Sequence, residues 1–204
     1  MPPKVLNSPK VLQHLRQDPR LAAVIDRVGA LRFTARSEGT HFGALARSIV
    51  YQQLSGQAAA TIHGRLLALF DGREPLPAEL LVVPDDRLRS VGLSRQKLAY
   101  LKDLARHATE GLLEVEKLSA LPDAEIITQV TAVKGVGVWT AQMFLMFRLG
   151  RPDVLPVLDL GIRKAIQRLY RLRKLPDAQK IEKLAAQWRP YCSVASWYLW
   201  RSLE

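Results

Sequence analysis

The stretch VKGVGVWTAQMF, Val133–Phe144, decides how the rest of the chain is read. Two glycines one residue apart interrupt an apolar run that resumes at once with a tryptophan. Glycine accepts positive φ and lets another backbone approach where a Cβ would obstruct it. Both Gly135 and Gly137 are therefore expected to use that freedom. A helix ending near Val133 leaves carbonyls exposed, and one beginning near Val138 leaves N–H groups exposed. N–H groups at a helix start attract anions, and Lys134 adds a cation beside them. A phosphate suits such a place, although a plain tight turn between packed helices uses the same letters.

Outward from this stretch the pattern is helical. In HFGALARSIVYQQLSGQAAATIHGRLLALF, the residues Phe42, Leu45, Ala46, Ile49, Val50 and Leu54 recur at three and four, as one buried helix face requires. Gly56 marks a break, after which Ala60, Ile62, Leu66, Leu67 and Phe70 make a second stripe. DGREPLPAELLVVPDDRL reads as a proline-rich connection with a short helix. Ser94 suits the N-cap of RQKLAYLKDLARHATEG and Gly111 its end. Pro122 and Asp123 suit the start of the helix that leads into the opening stretch. Helices are further expected in VWTAQMFLMFRLG, LGIRKAIQRLYRL and around IEKLAAQWRP and SVASWYLWRSLE. With no convincing strand, heptad run or repeat, the fold class is all-α, and 204 residues suit one domain, 1–204, of two packed lobes.

Composition narrows the partners. Lys and Arg total 30 against 19 Asp and Glu, a formal net charge of +11, with an isoelectric point near 10.2. Such an excess favours a polyanion, nucleic acid first, with binding that weakens as salt rises. No window approaches a membrane span, and MPPKVLNSPKVLQHL lacks the apolar core and cleavage site of a signal peptide. Cys192, the only cysteine, fits a reducing cytoplasm and excludes a thiolate-held iron–sulfur cluster, which needs about four ligands. His14, His41, His63 and His107 are scattered, without zinc-like spacing, so no catalytic metal is expected.

VKGVGVWTA followed by RPDVLPVLDLGIRKAI resembles the helix-hairpin-helix DNA glycosylases, whose hairpin precedes a Gly/Pro-rich loop and an aspartate. FGALARSIVYQQLSGQAAATI, VGLSRQKLAYLKDLA and WRPYCSVASWYLWR extend the resemblance, in order, to the AlkA-type 3-methyladenine enzymes over roughly residues 40–204. It implies a two-lobed helical fold with the hairpin at about 126–149. It also implies an N-glycosyl hydrolase that excises alkylated bases such as 3-methyladenine and 7-methylguanine from double-stranded DNA. The setting would be base excision repair, by a monomer in the cytoplasm, associated with the nucleoid through DNA. Larger members carry an N-terminal β domain, for which the residues before the match are too few and too helical. Cys192 stands where many relatives have arginine.

The resemblance places the catalytic carboxylate at Asp159. Cleaving an N-glycosidic bond builds positive charge on the sugar, which a carboxylate stabilises while it helps deprotonate water. Asp159 also suits the N-cap of LGIRKAI, and a helix N-terminus favours a negative charge there; Asp153 reads as a loop residue. Strand-cleaving relatives place a nucleophilic lysine two residues after the second hairpin glycine, where this chain has Trp139, so a monofunctional enzyme without lyase activity is expected. Trp139 and Trp200 are implied as base-pocket walls that attract a cationic purine, with Met143 and Gln52 beside them. Trp188 and Trp197 read as core. Gln53 aligns with the residue that fills the gap left by an extruded base, Lys134, Gly135, Gly137 and Thr140 with the phosphate contacts, and the carbonyls of Thr131, Val133 and Val136 with a Na+ or K+ site. No other cofactor is expected. Two other readings stay open: a non-enzymatic DNA-binding hairpin module, which needs neither Asp159 nor tryptophans, and a glycosylase/lyase for oxidised bases, which needs lysine at position 139.

Overall fold

A computed structural model describes residues 6, 8–35 and 38–204. Its helices are α1 (Pro9–Leu15), α2 (Pro19–Val28), α3 (His41–Tyr51), α4 (Gly56–Ala68), α5 (Pro77–Val82), α6 (Asp85–Ser90), α7 (Arg95–Thr109), α8 (Asp123–Thr131), α9 (Val138–Phe147), α10 (Leu160–Leu169), α11 (Ala178–Ala185) and α12 (Cys192–Arg201), with 3-10 segments at Val115–Ala120 and Ala186–Trp188. Among the described residues there is no strand, and no helix is long and apolar enough to cross a membrane. The expected all-α class holds. Contacts divide the chain into two compact units, Met1–Arg36 with Leu145–Glu204, and Ser37–Phe144.

The first unit is built on α12, against which α10 and α2 pack. Every residue from Cys192 to Leu199 is buried, so this helix is covered on all sides. Trp188 and Trp197 join the core, as expected. The residues before the match form α1 and α2, and α2 is capped by Asp18, whose side chain accepts from the backbone N–H groups of Arg20 and Leu21.

The second unit is organised by α7, which packs against α3, α5 and α6, while α3 also packs on α4. Ser94 caps α7 by accepting from Lys97 N–H, and Gly111 just beyond its end takes φ 73°. The helix buries Leu98, Leu101, Leu104 and Ala105 along one stripe, and with them Asp103.

Three readings shift. The DGREPL to DDRL connection carries two short helices, α5 and α6, because Pro77 and Pro84 each open a helical turn. Leu54 is not part of the buried face of α3: that helix ends at Tyr51, the chain reverses at Gln53 with φ 55°, and Leu54 is left 39% exposed. Ala60 likewise faces solvent, since α4 begins afresh at Gly56 under a Ser55 cap and buries Ala59 and Leu66 instead.

Candidate functional site

The second unit carries the hairpin. The last turn of α8 is followed by a tight turn in which Val136 N–H donates to the Val133 carbonyl at 3.1 Å. Gly135 takes φ 78°, and a Cβ there would overlap the ring of Tyr100, so this position demands glycine for conformation and for space. Gly137 does not: it lies outside the positive-φ set, and a Cβ on it would meet nothing within 4 Å. Gly137 is exposed, and the open space around it is where an incoming backbone could approach.

What shapes this turn comes from α7 and α3. Asp103 Oδ2 accepts from the Lys134 N–H at 2.8 Å, while Oδ1 accepts from the Arg106 guanidinium at 2.7 Å. Burial pushes the Asp103 carboxyl up, but these donors outweigh it and hold it below the usual carboxylate range. Gln52 Nε2 donates to the Gly135 carbonyl at 2.8 Å. Lys97 Nζ donates to the Val50 carbonyl at 2.7 Å, and burial lowers its pKa. Lys97, Tyr100 and Asp103 recur at threes along α7, so this helix touches both the last turn of α3 and the hairpin.

The side chains offered to solvent are Lys134, Gln53, Val138 and Trp139, the last two 46% and 50% exposed. Met143, one turn after Trp139, is half-buried. Thr140 is 6% exposed, on the α9 face shared with Ala141 and Phe144.

The first unit carries the carboxylate. Asp159 caps α10 by accepting at Oδ1 from Ile162 N–H at 2.8 Å, and the same oxygen accepts from Trp200 Nε1 at 2.9 Å. Trp200 is half-buried, its indole tilted against Phe147, which stacks on Phe33. The loop leading to Asp159 is tied to α12 through Ser193. Its N–H donates to the Pro152 carbonyl at 2.9 Å, its hydroxyl donates to the Arg151 carbonyl at 2.7 Å and accepts from Val154 N–H at 3.0 Å.

Asp153 is a loop residue, as expected, and it braces that loop: it accepts from Arg189 at 2.6 Å and from Cys192 N–H at 3.3 Å. Burial, reinforced by Asp153, pushes the Cys192 thiol up, so this residue is a buried neutral side chain. The structure thus brings Asp159 and Trp200 together, and separately Gln52 and Gly135.

Sequence reasoning missed Asp103 and Ser193. A signal existed for the first: Asp103 is the sole acidic residue of α7 and lies next to its apolar stripe. Ser193 gave none, being one small residue in a buried run.

The HhH-GPD superfamily model, described as base excision DNA repair protein, matches residues 46–190. DNA-3-methyladenine glycosylase 1 of Schizosaccharomyces pombe is 35% identical over 160 residues, covering 78% of this chain and 70% of that protein. A Bacillus subtilis protein is 32% identical over 169 residues, and the match spans 80% of this chain but only 59% of that relative. The solved structure of a Schizosaccharomyces pombe 3-methyladenine DNA glycosylase in complex with abasic DNA superimposes with a TM-score of 0.83 at 32% identity, covering 95% of this chain and 96% of that one. A hairpin with an obligatory glycine, a capped aspartate under an indole and these matches converge: the chain belongs to the HhH-GPD superfamily of base excision DNA repair proteins, in the company of the 3-methyladenine DNA glycosylases.

Proposed function

We propose that this chain is a monofunctional DNA glycosylase that extrudes an alkylated base from double-stranded DNA and hydrolyses its N-glycosidic bond, leaving an abasic site. The observation that carries the reading is the way Asp159 is held. Two N–H donors, Ile162 and Trp200 Nε1, converge on Oδ1 at the start of α10, which fixes the plane of a half-buried carboxylate. A fixed carboxylate stabilises the sugar as positive charge develops and orients a water for attack, without reorganising during the reaction.

The remaining roles follow from chemistry. An exposed indole at Trp139 can stack on a purine made cationic by alkylation, an attraction of about 1 kcal/mol or more, with the half-buried Met143 as a yielding neighbour. That charge also weakens the bond to be broken. Trp139 has no amine to form a Schiff base, so water is the nucleophile and the strand stays intact. Gln53, exposed at the tip of the α3–α4 turn, fills the gap in the duplex, and Lys134 with the Gly135–Gly137 backbone grips a phosphate.

A monovalent cation would suit the carbonyls of Thr131, Val133 and Val136: the donors are all oxygen, and Thr131 is the last residue of α8, where the helix dipole is negative. Val133 O spends one lone pair on Val136 N–H and keeps another. Such an ion would brace the turn. The enzyme is read as a cytoplasmic monomer, and its likeness to DNA-3-methyladenine glycosylases supports an enzyme over a passive DNA-binding module.

The test is Asp159→Asn. Asparagine still caps α10, so the fold should persist while 3-methyladenine release in single turnover falls about a hundredfold or more. Full excision by this variant would sink the assignment. Borohydride should trap no enzyme–DNA adduct with the wild-type protein; a covalent adduct would restore the lyase reading.

A further inference from the structure

The hydrogen bond between Trp200 and Asp159 passes over position 161, where a side chain would crowd both groups. A Cβ built on Gly161, the second residue of α10, would lie 2.9 Å from Trp200 Cδ1, 3.0 Å from Asp159 Oδ1 and 3.1 Å from Trp200 Nε1. Real Cβ atoms essentially never come as close as 2.9 Å, and contacts of 3.0 and 3.1 Å are tighter than most, so the indole or the carboxylate would have to give by a few tenths of an ångström. On one side the indole is backed by Phe147, with centroids 6.1 Å apart, and Phe33 stacks on Phe147 at 5.4 Å. The carboxylate is held by its cap to Ile162 N–H.

Neither usual reason for glycine applies here. Gly161 is not among the positive-φ residues, and it lies within a helix, where glycine costs about 1 kcal/mol relative to alanine. Local stability argues for alanine; the contact between the two side chains argues for glycine. We infer that Gly161 is a positioning residue of the active site. Its missing side chain lets the Trp200 N–H reach Oδ1 of Asp159 and so sets the direction in which the carboxylate faces the reacting sugar. Trp200 acts first as a donor to the carboxylate, whatever contact its ring face makes with substrate.

This inference rests on the reading of Asp159 as the catalytic carboxylate. The experiment compares Gly161→Ala, Trp200→Phe and the double variant in single-turnover excision of 3-methyladenine, together with thermal unfolding and affinity for a duplex carrying an abasic analogue. Phenylalanine keeps an aromatic ring but has no N–H to donate. Gly161→Ala should still unfold cooperatively within a few degrees of wild type, bind the abasic duplex within about twofold, and excise about threefold or more slowly, because a shift of a few tenths of an ångström turns the carboxylate from its aim. The double variant should be no slower than Trp200→Phe, because both changes break the same hydrogen bond.

Wild-type excision by Gly161→Ala would overturn the inference while leaving the enzyme assignment intact. Losses that multiply in the double variant would also overturn it, by showing that Gly161 acts on something other than the Trp200 bond. An inactive wild-type protein would instead defeat the underlying reading of Asp159.

Discussion

Asp18 and Asp159 are built from the same parts. Each is the N-cap of a helix, and each accepts from an indole N–H at 2.9 Å, Trp188 for Asp18 and Trp200 for Asp159. Their surroundings differ. Asp18 is 3% exposed and is closed off by the Tyr170 hydroxyl and by Gln187 Nε2. Asp159 is half-buried, and the leucines on either side, Leu158 and Leu160, are 71% and 52% exposed. A cap and an indole are thus a general device for fixing a carboxylate. Covered by a phenol, the device joins α2 to Tyr170 and Trp188; left at the surface, it holds the carboxylate that we propose acts on substrate.

Removing each carboxylate in turn separates the two uses of this device most widely. Asp159→Asn should abolish most excision and leave stability nearly unchanged. Asp18→Ala should do the reverse, stranding a buried tyrosine hydroxyl and a buried indole N–H at about 1–3 kcal/mol each. Urea unfolding should report a loss of about 3 kcal/mol, while excision per folded molecule stays at the wild-type level. If Asp18→Ala stopped excision without altering stability, the division between the two carboxylates would be wrong.

A second buried carboxylate, Asp103, tests the hairpin unit. Asp103 serves the backbone of the proposed phosphate grip: its Oδ2 accepts from the Lys134 N–H. Asp103→Leu leaves that N–H without its partner, and affinity for an abasic-analogue duplex should fall about tenfold, with the bound single-turnover rate changed much less. The pH dependence has a definite sign. Because the Asp103 carboxyl is held below the usual range, its contribution to stability is complete above the unfolded value of about 3.9 and disappears as pH falls through the lower folded value. Wild type should therefore lose stability below about pH 4 more steeply than Asp103→Leu, as acid unfolding monitored by circular dichroism would record.

Which features can be read from the letters follows from what each residue depends on. Helix caps are local, so Ser94 and Asp159 are readable directly, and the structure agrees on both. Apolar period is also local but carries register across a break only by assumption, which is why it places Leu54 and Ala60 on faces they do not occupy. Gly135 and Gly137 look alike in sequence; a positive φ and the distant Tyr100 ring, both at Gly135 alone, separate them. Asp103 with Lys134, Ser193 with the loop before Asp159, and Gly161 with Trp200 each join residues far apart in the chain or depend on the space between two side chains. No period or motif encodes such pairs.

The smallest effect expected belongs to Gln52. Its amide donates to the Gly135 carbonyl at 2.8 Å, a bond at the protein surface where water competes for both partners. Gln52→Ala should therefore cost about 0.5–1.5 kcal/mol, seen as a few-fold loss in duplex affinity. Gln52→Glu is more informative: a carboxylate cannot donate to a carbonyl, and it would bring negative charge next to the phosphate grip. The glutamate variant should bind more weakly than the alanine variant, and the gap between them should narrow as salt is raised, because screening removes only the electrostatic part. If both variants bind equally at every salt concentration, the turn at Gln52 lies outside the phosphate's reach, and the grip is confined to Lys134–Gly137.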